Sequence, residues 1–117
     1  MATDQLSLVF SALADPTRRA ILAQLAQGPR PMGEVAGSFA MTGPAVTKHL
    51  KVLERAGLVR VDKKAQMRLR ALEAEPLRHA QDWIEPYRQY WEASFQRLDD
   101  YLRELQSEQD KTNEPNP

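Results

Sequence analysis

The sequence predicts a mainly α-helical fold carrying a small β-hairpin, and three observations predict it. Apolar residues recur at helical spacing from Leu6 to Leu53, the period drops to two between Val59 and Ala71, and helical spacing returns from Pro76 onward. The order is therefore several short helices, a hairpin, and one long helical segment.

Each element has its own punctuation. Leu6, Val9, Phe10 and Leu13 mark a first helix, which ends where Asp15-Pro16 supplies an N-cap and a proline at the first position of a second. The second places Ile21, Leu22 and Leu25 on one side and stops at the breaker pair Gly28-Pro29. A short third helix uses Met32, Val35, Ala36 and Phe39. Thr42 then caps a fourth, running from about Thr42 to Ala56, with Val46, Leu50 and Leu53 as its buried stripe. Gly57 closes it, because glycine accepts the left-handed backbone that ends many helices.

Beyond Gly57, Val59 and Val61 alternate with Arg60 and Asp62, and Met67, Leu69 and Ala71 alternate with Arg68 and Arg70. Two such runs make a hairpin, expected to turn both apolar faces inward and to expose a cationic tip, Lys63-Lys64-Ala65-Gln66. From Pro76 to about Gln106, Leu77, Ile84, Tyr87, Trp91, Leu98, Leu102 and Leu105 approach a heptad-like seam. Pro86 inside this run lacks an amide donor and crowds the carbonyl of Asp82, so a kink or a break is expected there. Residues 1–107 are expected to form one domain, and 108–117, polar and proline-containing, a disordered tail.

Composition excludes several functions. At 117 residues the chain has room for one compact domain, and 42% hydrophobic with 27% charged residues is a globular balance. With no cysteine there are no disulfides, thiolate metal sites or thiol nucleophiles. Two histidines and no glycine-rich phosphate loop leave no nucleophile and base pair, so no enzyme is expected. Neither a signal peptide nor a membrane-spanning run is visible, and a cytoplasmic location is expected.

The net charge of zero conceals a segregation. Residues 1–41 carry three Lys and Arg against three Asp and Glu, residues 42–71 carry eight against two, and residues 72–117 carry five against eleven. A basic middle beside an acidic tail segment suits a local nucleic-acid surface, although a charged run can also be merely a solvated face.

Two short helices joined by a turn, followed by a basic hairpin, make the DNA-docking device called a winged helix-turn-helix. The fourth helix would enter the major groove, with Thr42 at its start and Ala45, Thr47, Lys48, His49, Lys51 and Arg55 as candidate contacts. The wing, with Lys63, Lys64, Gln66 and Arg68, would follow the backbone or the adjacent minor groove.

The residues also carry a family likeness. Ala12-Leu13-Ala14-Asp15-Pro16-Thr17-Arg18-Arg19-Ala20-Ile21-Leu22 resembles the opening signature of ArsR-type regulators. Thr42-Gly43-Pro44-Ala45-Val46-Thr47-Lys48-His49-Leu50-Lys51-Val52-Leu53, then Ala56-Gly57-Leu58-Val59, resembles that family's recognition helix and its exit into the wing. The likeness covers roughly residues 5 to 105. The aromatic segment from Trp83 to Trp91 is similar to the branch that includes autorepressors without the arsenic-type cysteine site. The resemblance implies a homodimer, paired through its first and last helices, that represses a promoter, often its own, at a palindromic operator. Metal-sensing members use cysteines before the recognition helix or Asp, His and Glu sets on the last helix. Met32-Gly33-Glu34-Val35-Ala36 has no thiolate, and the last helix offers only His79 and Asp82. No metal or cofactor is expected, and no effector is identified. Ala65 stands near the place of a wing glycine common in the family.

Several residues admit two roles. His49 could donate to a phosphate or, half-buried, fix the helix pair. Arg18 and Arg19 could clamp a phosphate or pair locally. Trp83, Tyr87, Tyr90, Trp91 and Phe95 could line an effector pocket or form the dimer seam; the expected interface is Leu6, Val9, Phe10, Trp83, Tyr87, Trp91, Leu98 and Leu102. His79, Asp82 and Glu85 could hold zinc or simply face solvent. The partners expected are double-stranded DNA and a second copy, with no membrane; the alternative is a basic winged helix meeting an acidic protein.

Overall fold

The computed structural model describes residues 4–64 and 67–113. In chain order the elements are α1 (Gln5–Leu13), α2 (Pro16–Leu25), β1 (Arg30–Pro31), α3 (Met32–Gly37), α4 (Gly43–Arg55), β2 (Val59–Lys64), β3 (Met67–Leu72), α5 (Glu75–Ile84) and α6 (Arg88–Asn113), with a 3₁₀ turn at Glu85–Tyr87. They divide into two compact units, Met1–Asp82 and Trp83–Pro117. No described helix is long and apolar enough to cross a membrane.

The first unit begins with a corner in which two helix ends complete each other. The Asp15 carboxylate caps α2 by accepting the Arg18 amide at 3.0 Å. The Arg18 side chain reaches back, Nε donating to the Ala12 carbonyl at 2.8 Å and Nη2 to that of Ser11 at 3.0 Å. Arg19 Nη1 donates to the Leu13 carbonyl at 2.6 Å. Cations thus meet the open carbonyls at the C-terminus of α1, which are also the negative end of its dipole. Both arginines pair locally.

The core lies between α2, α3 and α4, where Ile21, Val35, Val46, Leu50, Leu53 and Leu58 are almost fully buried. Its far edge depends on the way α4 ends. The Gly57 amide donates to the Glu54 carbonyl at 3.0 Å and the Leu58 amide to that of Leu53 at 2.9 Å, the paired bonds of a Schellman stop. Gly57 takes the required φ of +80°, and the turn drives Leu58 inward.

The sheet has three antiparallel strands in the order β1-β3-β2. β1, two residues long, pairs Arg30 with Arg70 and Pro31 with Leu69, and was not foreseen, since two residues show no period. The hairpin register also corrects an expectation. Only two residues separate Lys64 from Met67, so ladder partners carry one odd and one even number: Val59 faces Leu72, Val61 faces Arg70, and Asp62 faces Leu69. Directly opposed residues share a face, so the apolar sides of the two strands are out of phase. At the root this is tolerated because both faces are covered; Val59 and Ala71 project to opposite sides and are 4% and 2% exposed. Toward the tip Val61 is left in solvent.

α5 starts in the first unit, burying Pro76 and Ala80. In the second unit the expected disruption at Pro86 is a break: the 3₁₀ turn separates α5 from α6. α6 runs to Asn113, past the expected start of the tail at residue 108. No glycine or proline interrupts residues 88–113, and Glu104-Leu105-Gln106 with Glu108-Gln109 are good helix formers, so polarity here extends a solvated helix. Every side chain described in this unit is exposed.

Two substitutions test the first unit. Gly57→Ala forces a β-carbon into the left-handed region and within 2.8 Å of Gln5 Nε2, and is expected to lower stability by roughly 1–2 kcal/mol in urea unfolding. The backbone amide of Arg18, donating to the carboxylate, holds the Asp15 carboxyl below its ordinary value of 3.8. A lowered folded value means that ionised Asp15 stabilises the fold above the ordinary carboxylate range and that this is lost as pH falls through the folded value. Asp15→Asn, which keeps a cap, should leave stability near neutrality almost unchanged and flatten its loss in acid below about pH 4.

Candidate nucleic-acid interface

α4 is amphipathic by construction. The Thr42 hydroxyl accepts the Ala45 amide at 3.3 Å, and Pro44 occupies the first turn, where no amide donor is needed. With Val46, Leu50 and Leu53 facing the core, Pro44, Lys48, Lys51 and Arg55 fall on the opposite stripe, all exposed. Thr42 is exposed at the cap, while Ala45, Thr47 and His49 are half-buried at the flanks. The Thr47 hydroxyl donates back to the Gly43 carbonyl at 3.0 Å and also lies 3.8 Å from Met32 Sδ on α3. Thr47 therefore acts first within the helix pair.

His49 stands between α4 and the α1–α2 corner. Its Nδ1 is 3.4 Å from Arg18 Nη1 and 3.8 Å from Asp15 Oδ2, and its side chain is 22% exposed. The motif that begins at Ala12 is thereby connected to the fourth helix. The spacing Asp15-x-x-Arg18 signals the cap in sequence, but nothing local shows that Arg18 also reaches a residue 31 positions away.

The hairpin is held against α4 by Arg70, whose Nε lies 3.2 Å from Glu54 Oε1. That distance is an ion pair but the Nε–H is not aimed at the oxygen, and the buried Nε has no directed hydrogen bond. Arg60 is neutralised on the strand by Asp62 at 3.1 Å and Glu73 at 3.0 Å, and its guanidinium is pushed further toward the charged form, mainly by Asp62. Lys63 and Lys64 are ladder residues of β2 rather than parts of a loop, with Lys63 directly opposite Arg68. Lys63 and Arg68 are exposed; Gln66 and Ala65 lie outside the described residues, as does the side chain of Lys64.

The charges sort into two groups. Arg60, Arg70, Arg78, Arg88 and Arg103 lie within ion-pair distance of carboxylates, and Arg18, Arg19 and Arg30 donate to backbone carbonyls. Among the described residues Lys48, Lys51, Arg55, Lys63 and Arg68 have no carboxylate partner. The uncompensated cations of the first unit thus belong to α4 and the hairpin.

The remaining candidates lie elsewhere. His79 is exposed and 3.7 Å from Glu75, while Glu85 pairs with Arg88 at 3.0 Å. Among the described residues no three His, Asp or Glu gather as a metal-holding group. Of the expected interface, Val9 is a correction. It is 1% exposed within the chain's own core, because α1 turns Val9 and Ala12 inward, and Leu6 and Phe10 are half-buried beside them. Trp83, Tyr87, Trp91, Leu98 and Leu102 are all exposed on the second unit. Trp83 and Tyr87 meet as tilted rings at 5.3 Å between centres, and Tyr87 and Tyr90 at 6.4 Å.

Comparison with known proteins bears on this arrangement. Residues 13–62 match the family described as helix-turn-helix domain. The transcriptional repressor SdpR of Bacillus subtilis is 33% identical over 76 residues, which are 65% of this chain and 84% of that protein. The HTH-type transcriptional regulator Rv2034 of Mycobacterium tuberculosis is 54% identical over 50 residues, 43% of this chain and 47% of that protein. The chain thus spans about half the length of Rv2034. Among solved structures, a crystal structure of an ArsR family transcriptional regulator superposes with a TM-score of 0.68 at 40% identity, covering 76% of this chain and 98% of the other. A homodimeric winged helix-turn-helix DNA-binding domain from Mycobacterium bovis, described as a possible ArsR-family regulator, gives 0.58 at 25% identity, covering 77% and 84%.

The cap of α4 gives a direct test of how the interface is held. Thr42→Ala removes the acceptor for the Ala45 amide and is expected to lower unfolding stability by about 1 kcal/mol, whereas Thr42→Asp should restore it. Equal stability of the three proteins in denaturant titrations would show that the cap does not hold the helix.

Proposed function

The chain belongs to the ArsR family of winged helix-turn-helix transcriptional regulators, a non-enzymatic class, and from that premise we propose a homodimeric repressor of a palindromic DNA operator. The observation that carries this reading is the set of uncompensated cations on α4 and the hairpin. Lys48, Lys51 and Arg55 rise along one exposed stripe, which suits a helix lying in the major groove with donors toward base edges. Lys63 and Arg68, directly opposed on the hairpin, repel each other until an anion lies between them. A phosphate of the DNA backbone meets that need.

Dimerisation is supported by the second unit. A helix of 26 residues carrying exposed Trp91, Phe95, Leu98, Tyr101, Leu102 and Leu105 has no core of its own, and isolated helices gain most of their stability from packing an apolar face. A second copy supplies the same face, and an isologous pair of recognition helices accounts for a palindrome. The homodimeric likeness from Mycobacterium bovis agrees with this occupant. The regulator's own promoter is included among the proposed targets, following the family likeness.

The experiment is a salt titration on operator and scrambled duplexes, the operator being obtained by sequencing genomic fragments that the protein retains. Lys48→Ala is expected to lose about 1–3 kcal/mol on the operator with little change on scrambled DNA. Lys63→Ala with Arg68→Ala should weaken both duplexes alike and reduce the salt slope by roughly one unit per lost phosphate contact. Binding that ignores sequence throughout overturns the operator, and no binding to any duplex would leave the basic face to an acidic protein partner instead.

The assembly has its own measurement. Sedimentation of the wild type at micromolar concentration should give a dimer, and Trp91→Glu a monomer that retains the first unit's fold by circular dichroism. A monomeric wild type contradicts the dimer.

A further inference from the structure

We propose that Arg18 is a positioning residue for DNA binding: it holds His49 as the neutral tautomer with Nδ1 accepting, so that Nε2–H donates to a backbone phosphate. This rests on the DNA-binding function proposed above, and adds to it a neutral phosphate donor outside the lysine and arginine set.

The geometry of Arg18 leaves little choice. A guanidinium only donates and stays charged, so Nη1 at 3.4 Å from Nδ1 demands an unprotonated ring nitrogen. Nor can the guanidinium turn away, since Nε and Nη2 are fixed on the Ala12 and Ser11 carbonyls at 2.8 and 3.0 Å and the fork is planar. The imidazole must adapt to the arginine. Asp15 is the competing neighbour, favouring a proton on Nδ1. Its Oδ2 lies 3.8 Å away, beyond a hydrogen bond, and already accepts the Arg18 amide at 3.0 Å. With Nδ1 assigned as acceptor, the neutral ring carries its proton on Nε2. Among the described residues Nε2 has no hydrogen-bond partner, and it is not enclosed. His49 follows Lys48 on α4, at the flank of the cationic stripe, where a groove-bound helix passes the DNA backbone.

The test has a spectroscopic and a binding arm. In long-range proton–nitrogen NMR spectra near pH 8, His49 of the full chain is expected as the Nε2–H tautomer, and in Arg18→Met the proton should move to Nδ1, facing Asp15. An Nδ1–H wild type, or a tautomer indifferent to Arg18→Met, overturns the assignment. In binding, His49→Ala is expected to weaken operator and scrambled duplexes by the same factor, about 5-fold, with an unchanged salt slope because a neutral donor releases no counterion. His49→Gln, which keeps an N–H at similar reach, should stay within about 2-fold of wild type. A loss confined to the operator, or none in His49→Ala, overturns the phosphate contact. Should Arg18→Met fail to fold, the wild-type spectrum and the two His49 variants still decide. Failure of every protein to bind any duplex would instead overturn the DNA-binding function, leaving the tautomer measured independently.

Discussion

Everything outward on α4 depends on how its inner face is anchored. A 13-residue helix is marginal in water, and this one is held by the burial of Val46, Leu50 and Leu53. Full burial of such a side chain contributes about 1.5–3 kcal/mol, more than a cap or a surface ion pair. Those three positions fix the rotation of the helix about its axis, and rotation decides which residues meet a partner. Lys48, Lys51 and Arg55 are outward because Val46, Leu50 and Leu53 are inward. The Schellman stop then sets the exit, and Glu54 with Arg70 ties the departing sheet back to the same helix.

What was legible in the sequence follows from how local the physics is. α4 could be read almost to the residue, since Thr42 and Gly57 each act on amides or carbonyls within one turn. The α1–α2 corner was legible for the same reason, in Asp15 and Pro16. The hairpin was visible but its facing was not: alternation in each strand looked self-consistent, and only the ladder shows that Val61 opposes Arg70. β1 is made by its partner strand rather than by its own two residues. Val9 shows the opposite difficulty, since helical periodicity marks an apolar face without telling an internal core from an external one.

At the far end of the chain one composition admits two readings. Glu, Gln and Lys after Ser107 lower hydrophobicity, the signature of disorder, yet the same residues are strong helix formers and continue α6 to Asn113. Within the candidate site, exposed lysines were identifiable from the pattern of α4. The engagement of Thr47 with Gly43 and of His49 with Arg18 was not, because it depends on rotamers and on a contact across 31 residues.

A chain of zero net charge can still present a strongly cationic surface if its neutralisation is uneven, and the unevenness here is structural. Carboxylates on α5, the 3₁₀ turn and α6 find arginines one turn away, as Glu75 does Arg78, Glu85 does Arg88 and Asp99 does Arg103, so each of those pairs cancels in place. On α4 the analogous partner, Glu54, is drawn to Arg70 of the sheet and is withheld from Lys51 and Arg55. On β2, Asp62 is occupied by Arg60 and is withheld from Lys63. The two acids within the basic segment are thus both consumed by arginines that hold the architecture together. The cations left over keep their field, and their mutual repulsion becomes a preference for an anionic partner that salt will weaken.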